Sequence, residues 1–113
     1  MHELSLAMDV IDLASEEAMK NDASHIYEIE IEVGELSGVE TEAFKFSLQM
    51  LAKESILRDA EIKITGIPGK ARCGQCGQEF EMHDLLTACA QCGGYATEIL
   101  GGKEFRVKSL IAE

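Results

Sequence analysis

Positive charge is scarce in this chain. Ten Lys+Arg stand against 21 Asp+Glu over 113 residues, a formal net charge of −11. Nucleic acid is bound through clustered Lys and Arg, so it is excluded as a natural partner. An anionic membrane surface is disfavoured for the same reason, whereas basic proteins and metal cations match the charge. Long apolar runs are also missing: no stretch approaches the roughly 18 consecutive apolar residues of a spanning helix. No basic region followed by an apolar run opens the chain, so no signal peptide is expected and the chain is assigned to the cytoplasm, where thiols stay reduced. A Gly-rich nucleotide fingerprint, a phosphate loop and a Ser/His/Asp pattern are lacking too, so the sequence argues against an enzyme. Proline is down to one residue, Pro68, which with Gly69 reads as a hinge.

What is present is a chain that should fold. Apolar residues make up 46%, though the core available to a chain this short is modest and a metal staple would help. The stretch ELSLAMDVIDLASEEAMK has helical spacing, with Leu6, Val10 and Leu13, joined by Ile11 and Ala14, on one face. IYEIEIEVG alternates, placing Tyr27, Ile29, Ile31 and Val33 on one side and Glu28, Glu30 and Glu32 on the other, as in a half-exposed strand. Helical spacing resumes through Ala43, Phe44, Leu48, Leu51 and Ala52, and AEIKITG is a second strand. Strand, helix, strand in that order predicts a crossover unit with both helices on one sheet face. Beyond IPGKARCGQCG the chain turns Gly-rich and weakly periodic. ATEILGGKEFRVKSLI then reads as two short strands about Gly101 and Gly102, the second returning to the first sheet. The fold class is α+β.

The strongest chemical signal is Cys73-x-x-Cys76, twelve residues, then Cys89-x-x-Cys92. Thiolates two residues apart can grip one ion from a tight turn, and Gly74, Gly77, Gly93 and Gly94 supply permissive backbone. Two such turns facing each other make a tetrahedral sulfur site, the geometry of structural Zn2+. A closed four-thiolate site has no vacant position and so argues for structure over catalysis. Two disulfides, a thioredoxin-like redox pair or an iron–sulfur site are the alternatives on spacing alone. His83, between the pairs, is either a solvated loop residue or a substitute ligand.

The N-terminal MHE is the second signal. The Met1 amine, the following backbone nitrogen and the His2 imidazole can close fused chelate rings on one ion, with Glu3 completing a plane. Nitrogen-rich square-planar sets suit Ni2+ or Cu2+. A chance histidine in a frayed end is the competing reading. Glu40, after GELSGV, begins the second helix, where a carboxylate is also favoured by the helix dipole.

MHELSLA, VGELSGVETEAFKFSL and the paired Cys-x-x-Cys motifs, in that order over nearly the whole chain, resemble the HypA/HybF family of nickel-insertion factors for NiFe-hydrogenase maturation. The resemblance implies that His2 is the nickel ligand, that Glu3 assists, and that Glu40 occupies a position contributing in some members. It implies Zn2+ on Cys73, Cys76, Cys89 and Cys92. It further implies two helices on a small three-stranded mixed sheet, with the zinc module inserted before the last strand. Residues 1–67 and 103–113 would then be a nickel-binding α/β domain and 68–102 a zinc-binding domain. The implied partners are a HypB-type GTPase, which supplies nucleotide chemistry, and the hydrogenase large-subunit precursor, with urease maturation a further client in some organisms. The chain would be a monomer or weak homodimer. A zinc-ribbon interaction module without nickel, and a zinc hydrolase, are the rival functions.

Overall fold

A computed structural model describes residues 3–113, the side chains of residues 96 and 97 excepted. Met1 and His2 therefore lie outside the described residues. The elements run α1 (Glu3–Lys20), β1 (Ile26–Gly34), α2 (Thr41–Ala52), β2 (Glu61–Ile67), β3 (Lys70–Cys73), β4 (Glu79–Glu81), β5 (Ala96–Gly101) and β6 (Phe105–Ala112). Two three-stranded sheets result, in the orders β2-β1-β6 and β4-β3-β5. Two compact units are distinguished, Met1–Ile31, Glu40–Thr65 and Arg106–Glu113 forming one, Glu32–Val39 and Gly66–Phe105 the other.

In the first unit α1 spans the expected residues, with Glu3 in its first turn and Lys20 in its last, both favourable to the dipole. It stops where Asp22 takes a left-handed conformation and the Ala23 N–H donates to the Ala18 carbonyl, 2.8 Å. Its buried stripe is Ala7, Val10, Ala14 and Ala18. That corrects the expected face: Leu6 and Ile11 are only half-buried and Leu13 is 42% exposed. The cause is close packing of α1 on α2, which puts small residues at the contact and larger ones on its flanks. On α2 the buried positions are Phe44, Leu48 and Ala52; Ala43, expected inside, is exposed.

Strand β1 is central, which explains its burial. Ile29 and Ile31 are fully buried, as alternation requires. Tyr27, expected with them, is exposed, and its hydroxyl donates to Glu113 Oε2 at 2.9 Å. The glutamate face is not simply wet. Lys63 of β2 meets Glu28 at 2.5 Å and Lys108 of β6 meets Glu30 at 3.5 Å. His25 and Glu113 exchange both backbone hydrogen bonds, so β1 and β6 are antiparallel. The ends of β1 and β2 adjoin through the Glu35 N–H on the Ile67 carbonyl, 2.9 Å. The crossover through α2 therefore makes a parallel pair, and the sheet is mixed, as expected.

The second unit holds a sheet that periodicity did not reveal. Strand β3 pairs antiparallel with β4 and with β5. The last two strands thus do not form a hairpin with each other: β5 pairs with β3, and β6 belongs to the other sheet. Strands of three and four residues interrupted by register shifts leave too few alternations to read.

Three glycines meet in this unit. A side-chain carbon on Gly34 would land on the Gly102 carbonyl, and one on Gly102, whose φ is 101°, would land on the backbone of Gly69. Gly102→Ala should therefore destabilise the unit by more than about 2 kcal/mol, through backbone strain and overlap together. Gly66→Ala, where the added carbon meets nothing within 4 Å, should stay within about 0.5 kcal/mol. Denaturant unfolding monitored in the second unit reads the difference; equal effects would refute the close approach.

Candidate metal centre

Each cysteine pair sits on a tight turn, and the two turns repeat one design. The Cys73 N–H donates to the Gln78 carbonyl at 2.8 Å and the Gly77 N–H to the Cys73 carbonyl at 3.0 Å. In the second turn the Cys89 N–H donates to the Gly94 carbonyl at 2.7 Å and the Gly93 N–H to the Cys89 carbonyl at 2.9 Å. Gly77 and Gly93 carry φ of 76° and 75°, the left-handed conformation that closes both turns and that glycine adopts without strain. Strands β3 and β4 flank the first turn; an Ala88–Tyr95 bridge closes the base of the second.

The turns bring the four sulfurs within 4.8 Å of one another. Cys73 and Cys92 stand 3.5 Å apart, Cys76 and Cys89 3.7 Å. Disulfides need about 2.05 Å, and all four cysteines are free. A tetrahedral ion with metal–sulfur bonds of about 2.3 Å requires sulfur–sulfur edges of about 3.8 Å. The donor set thus fits one tetrahedral ion, and it is too tight to surround a cluster of several irons. Neither pair opens a helix, as a thioredoxin-like motif would.

Electrostatics favour the thiolate form at Cys73 and Cys89 and the thiol at Cys92. The Cys76 and Gln75 N–H groups hold the Cys73 thiol down to about 6. The Cys92 N–H leads the causes that lower Cys89. At Cys92 the Gly94 N–H pulls downward, but the sulfurs of Cys73 and Cys76 together with burial outweigh it and push the thiol up to about 12. A proton held on Cys92 by its neighbours' negative charge is one that a dication displaces. Cys73 and Cys89 are buried while Cys76 and Cys92 are exposed, so the site lies at the surface.

His83 does not join this group. Its Nδ1 lies 2.9 Å from Glu35 Oε2, and that carboxylate raises the imidazole pKa. Glu35 is 48 residues distant in sequence, and no local pattern announces the pair. The cysteines are the one group of three or more potential ligands among the described residues.

The acidic residues singled out near the start of each helix do meet. Glu3 opens α1, and its Oε2 accepts the backbone N–H of Glu40 at 3.3 Å. Glu40 is the N-cap of α2, with φ −78° and ψ 102°, and its carboxylate makes no capping hydrogen bond. Two carboxylates thus stand at adjacent helix starts, that of Glu40 without a hydrogen-bond partner among the described residues. Met1 and His2, the other two candidate nickel residues, lie outside the described residues.

Comparison with known proteins gives one consistent result. Residues 1–112 match the family model described as hydrogenase/urease nickel incorporation, metallochaperone, hypA. The hydrogenase maturation factor HypA of Parabacteroides distasonis is 42% identical over 111 residues, covering 98% of this chain and 96% of that protein. The same factor from Albidiferax ferrireducens is 38% identical over 113 residues and 100% of both chains. The solution structure of the Ni metallochaperone HypA from Helicobacter pylori superposes with a TM-score of 0.68 at 29% identity, covering 99% of this chain and 97% of that one.

Proposed function

This chain belongs to the HypA family of nickel metallochaperones for hydrogenase maturation, and from that premise we propose that it carries Ni2+ at its N-terminus. The proposed ligand set is the Met1 amine, the His2 imidazole and intervening backbone nitrogen, and Glu3, with Glu40 as a charge partner. The observation that carries this reading is the meeting of Glu3 with Glu40 across 37 residues of sequence. It sets negative charge where two helix N-termini present positive partial charge. Unrelieved, that partial charge would disfavour a cation by roughly 0.3–1 kcal/mol. Two carboxylates offset it, and the residue of the opposition keeps nickel loosely enough held to be passed on.

In this reading Zn2+ is the resident ion of Cys73, Cys76, Cys89 and Cys92 and does no chemistry. Residues 1–67 with 103–113 act as the nickel-binding domain and 68–102 as the zinc-binding domain. The chain works in the cytoplasm as a carrier, not a catalyst. It receives nickel in concert with a HypB-type GTPase and delivers it to the hydrogenase large-subunit precursor, with urease as a second client. It acts as a monomer or weak homodimer. Its charge of −11 supports a role apart from nucleic acids and anionic membranes, and among the described residues no helix is long and apolar enough to cross a membrane.

Calorimetric titration of Ni2+ into zinc-loaded protein beginning at Met1 tests the assignment. Disturbing an outer partner of a metal ligand already costs about 10–100-fold in affinity, so His2→Ala should cost at least about tenfold. Glu40→Gln should cost less. Unchanged nickel affinity in His2→Ala would sink the assignment.

A further inference from the structure

Helix α2 carries an apolar stripe outside the core of the first unit. Its buried positions, Phe44, Leu48 and Ala52, repeat every fourth residue. The opposite face carries Phe46 and Met50, one turn apart and 64% and 57% exposed. Single exposed apolar side chains are ordinary on a protein surface. What distinguishes this stripe is its ends. Glu42 stands one turn before Phe46, and Lys53 stands three residues after Met50. Lys53 is the C-cap of α2, but with φ −56° and ψ −29° it continues the helical course. Eleven residues make close to three turns, so the two charges lie along one side of the helix, about 16 Å apart. Both are exposed, and neither makes a hydrogen bond or ion pair among the described residues.

Charge selects the occupant. Residues 41–53 hold one acid, Glu42, against two bases, Lys45 and Lys53, in a chain of net charge −11. Helix α1 also exposes apolar residues, Leu4 and Met8, but it holds Glu3, Asp9, Asp12, Glu16 and Glu17 against Lys20 alone. Two copies meeting through α1 would repel each other, whereas two meeting through α2 would not. An apolar stripe with an acid at one end and a base at the other is complementary to itself turned end for end.

We propose that two copies of this chain associate through the outer face of α2, antiparallel about a two-fold axis at the level of residues 47 and 48. Phe46 of each chain lies against Met50 of the other, and Glu42 of each meets Lys53 of the other. A single helix pair buries less than the roughly 1,200–2,000 Å² of a standard contact. Association is therefore weak, with a Kd on the order of 100 μM. The inference selects the dimer from the two states proposed above. It stands or falls apart from the nickel assignment, because its test contains no nickel.

Sedimentation equilibrium of zinc-loaded, nickel-free full chain, from about 10 μM to about 1 mM in about 0.15 M salt, reads the association. Helical circular dichroism reports that each variant is folded. Phe46→Lys, at an exposed position, should raise the Kd at least about tenfold. Glu42→Lys and Lys53→Glu should each weaken the dimer as well, because like charges then face one another at both ends. An equimolar mixture of those two variants should recover it, since opposite charges meet again in the mixed pair. Four outcomes would overturn the proposal. One is a monomer at every concentration up to about 1 mM. The second is a Kd unchanged in Phe46→Lys, and the third is a mixture no more dimeric than either variant alone. The last is a dimer that Leu4→Lys abolishes and Phe46→Lys spares, which would move the contact to α1.

Discussion

Cys73→Ser will release the bound ion and unfold much of the second unit, while α1, α2 and the sheet β2-β1-β6 keep their structure in the first. The asymmetry follows from where the core lies. Ile26, Ile29, Ile31, Phe44, Leu48 and Leu57 are the largest fully buried side chains of the first unit. Among the described residues the second unit buries only Val33, Ala71, Cys73, Met82 and Cys89 as apolar side chains, two of which are proposed ligands. Strands of three and four residues cannot hold themselves together on so little. A structural zinc site contributes about 10–16 kcal/mol of apparent binding free energy at pH 7, enough to replace the missing core.

The readout is amide exchange together with metal content. Gly77 and Gly93, whose N–H groups close the two turns, should lose protection in Cys73→Ser or after chelation, and helical circular dichroism should persist. Metal loading should also release protons. Cys92, with its thiol pushed up to about 12, is protonated at neutral pH without metal and cannot be so as a ligand. The enthalpy of zinc binding should therefore vary with the ionisation enthalpy of the buffer. Metal-free protein that still protects Gly77 and Gly93 would remove the ion from its structural role.

Helix α1 shows what periodicity can and cannot deliver. Its bounds, Glu3–Lys20, are legible because a long amphipathic run ends in a turn sequence. Its buried face is not, because a helix packed on another helix presents alanines, and hydrophobicity alone ranks Leu6 and Leu13 above Ala7 and Ala18. The β4-β3-β5 sheet escaped for a different reason. Strands β3 and β4 are too short to show alternation, and β5, read as a strand, finds its partner across the second cysteine turn instead of across the Gly101–Gly102 turn.

Legibility of the candidate sites divides similarly. Cys-x-x-Cys followed by Gly writes a local turn directly, so both halves of the sulfur site are visible in sequence, and their convergence follows from the chemistry of four thiols and one ion. The contact between Glu3 and Glu40 and that between Glu35 and His83 are tertiary events across 37 and 48 residues. Composition carries no trace of either. Glu3 beside the N-terminal histidine and Glu40 at a helix start were marked by their positions and then by family resemblance, whereas nothing marked Glu35.

Nickel binding should weaken steeply as pH falls from about 8 to about 6, the range set by an amine and an imidazole whose reference values are about 7.7–8.0 and 6.5. The sign is fixed by competition, since protons and Ni2+ seek the same nitrogen lone pairs and each protonation removes a ligand. The amine protonates first and opens one chelate ring; the imidazole follows and abolishes the site. Zinc should stay bound through most of that window. Four sulfurs in a closed site must be lost together. Mild acidification should thus strip nickel and spare zinc, which metal analysis of protein dialysed at about pH 8 and about pH 6 measures directly. His2→Ala should flatten the nickel curve by removing most binding at every pH. An acetyl group or tag on Met1 should do much the same without disturbing the fold, because an acylated amine is a poor ligand. The two variants separate the contributions: a tag without effect removes the amine from the site but leaves His2. Affinity constant from about pH 8 to about pH 6 in protein beginning at a free Met1 would exclude both nitrogens.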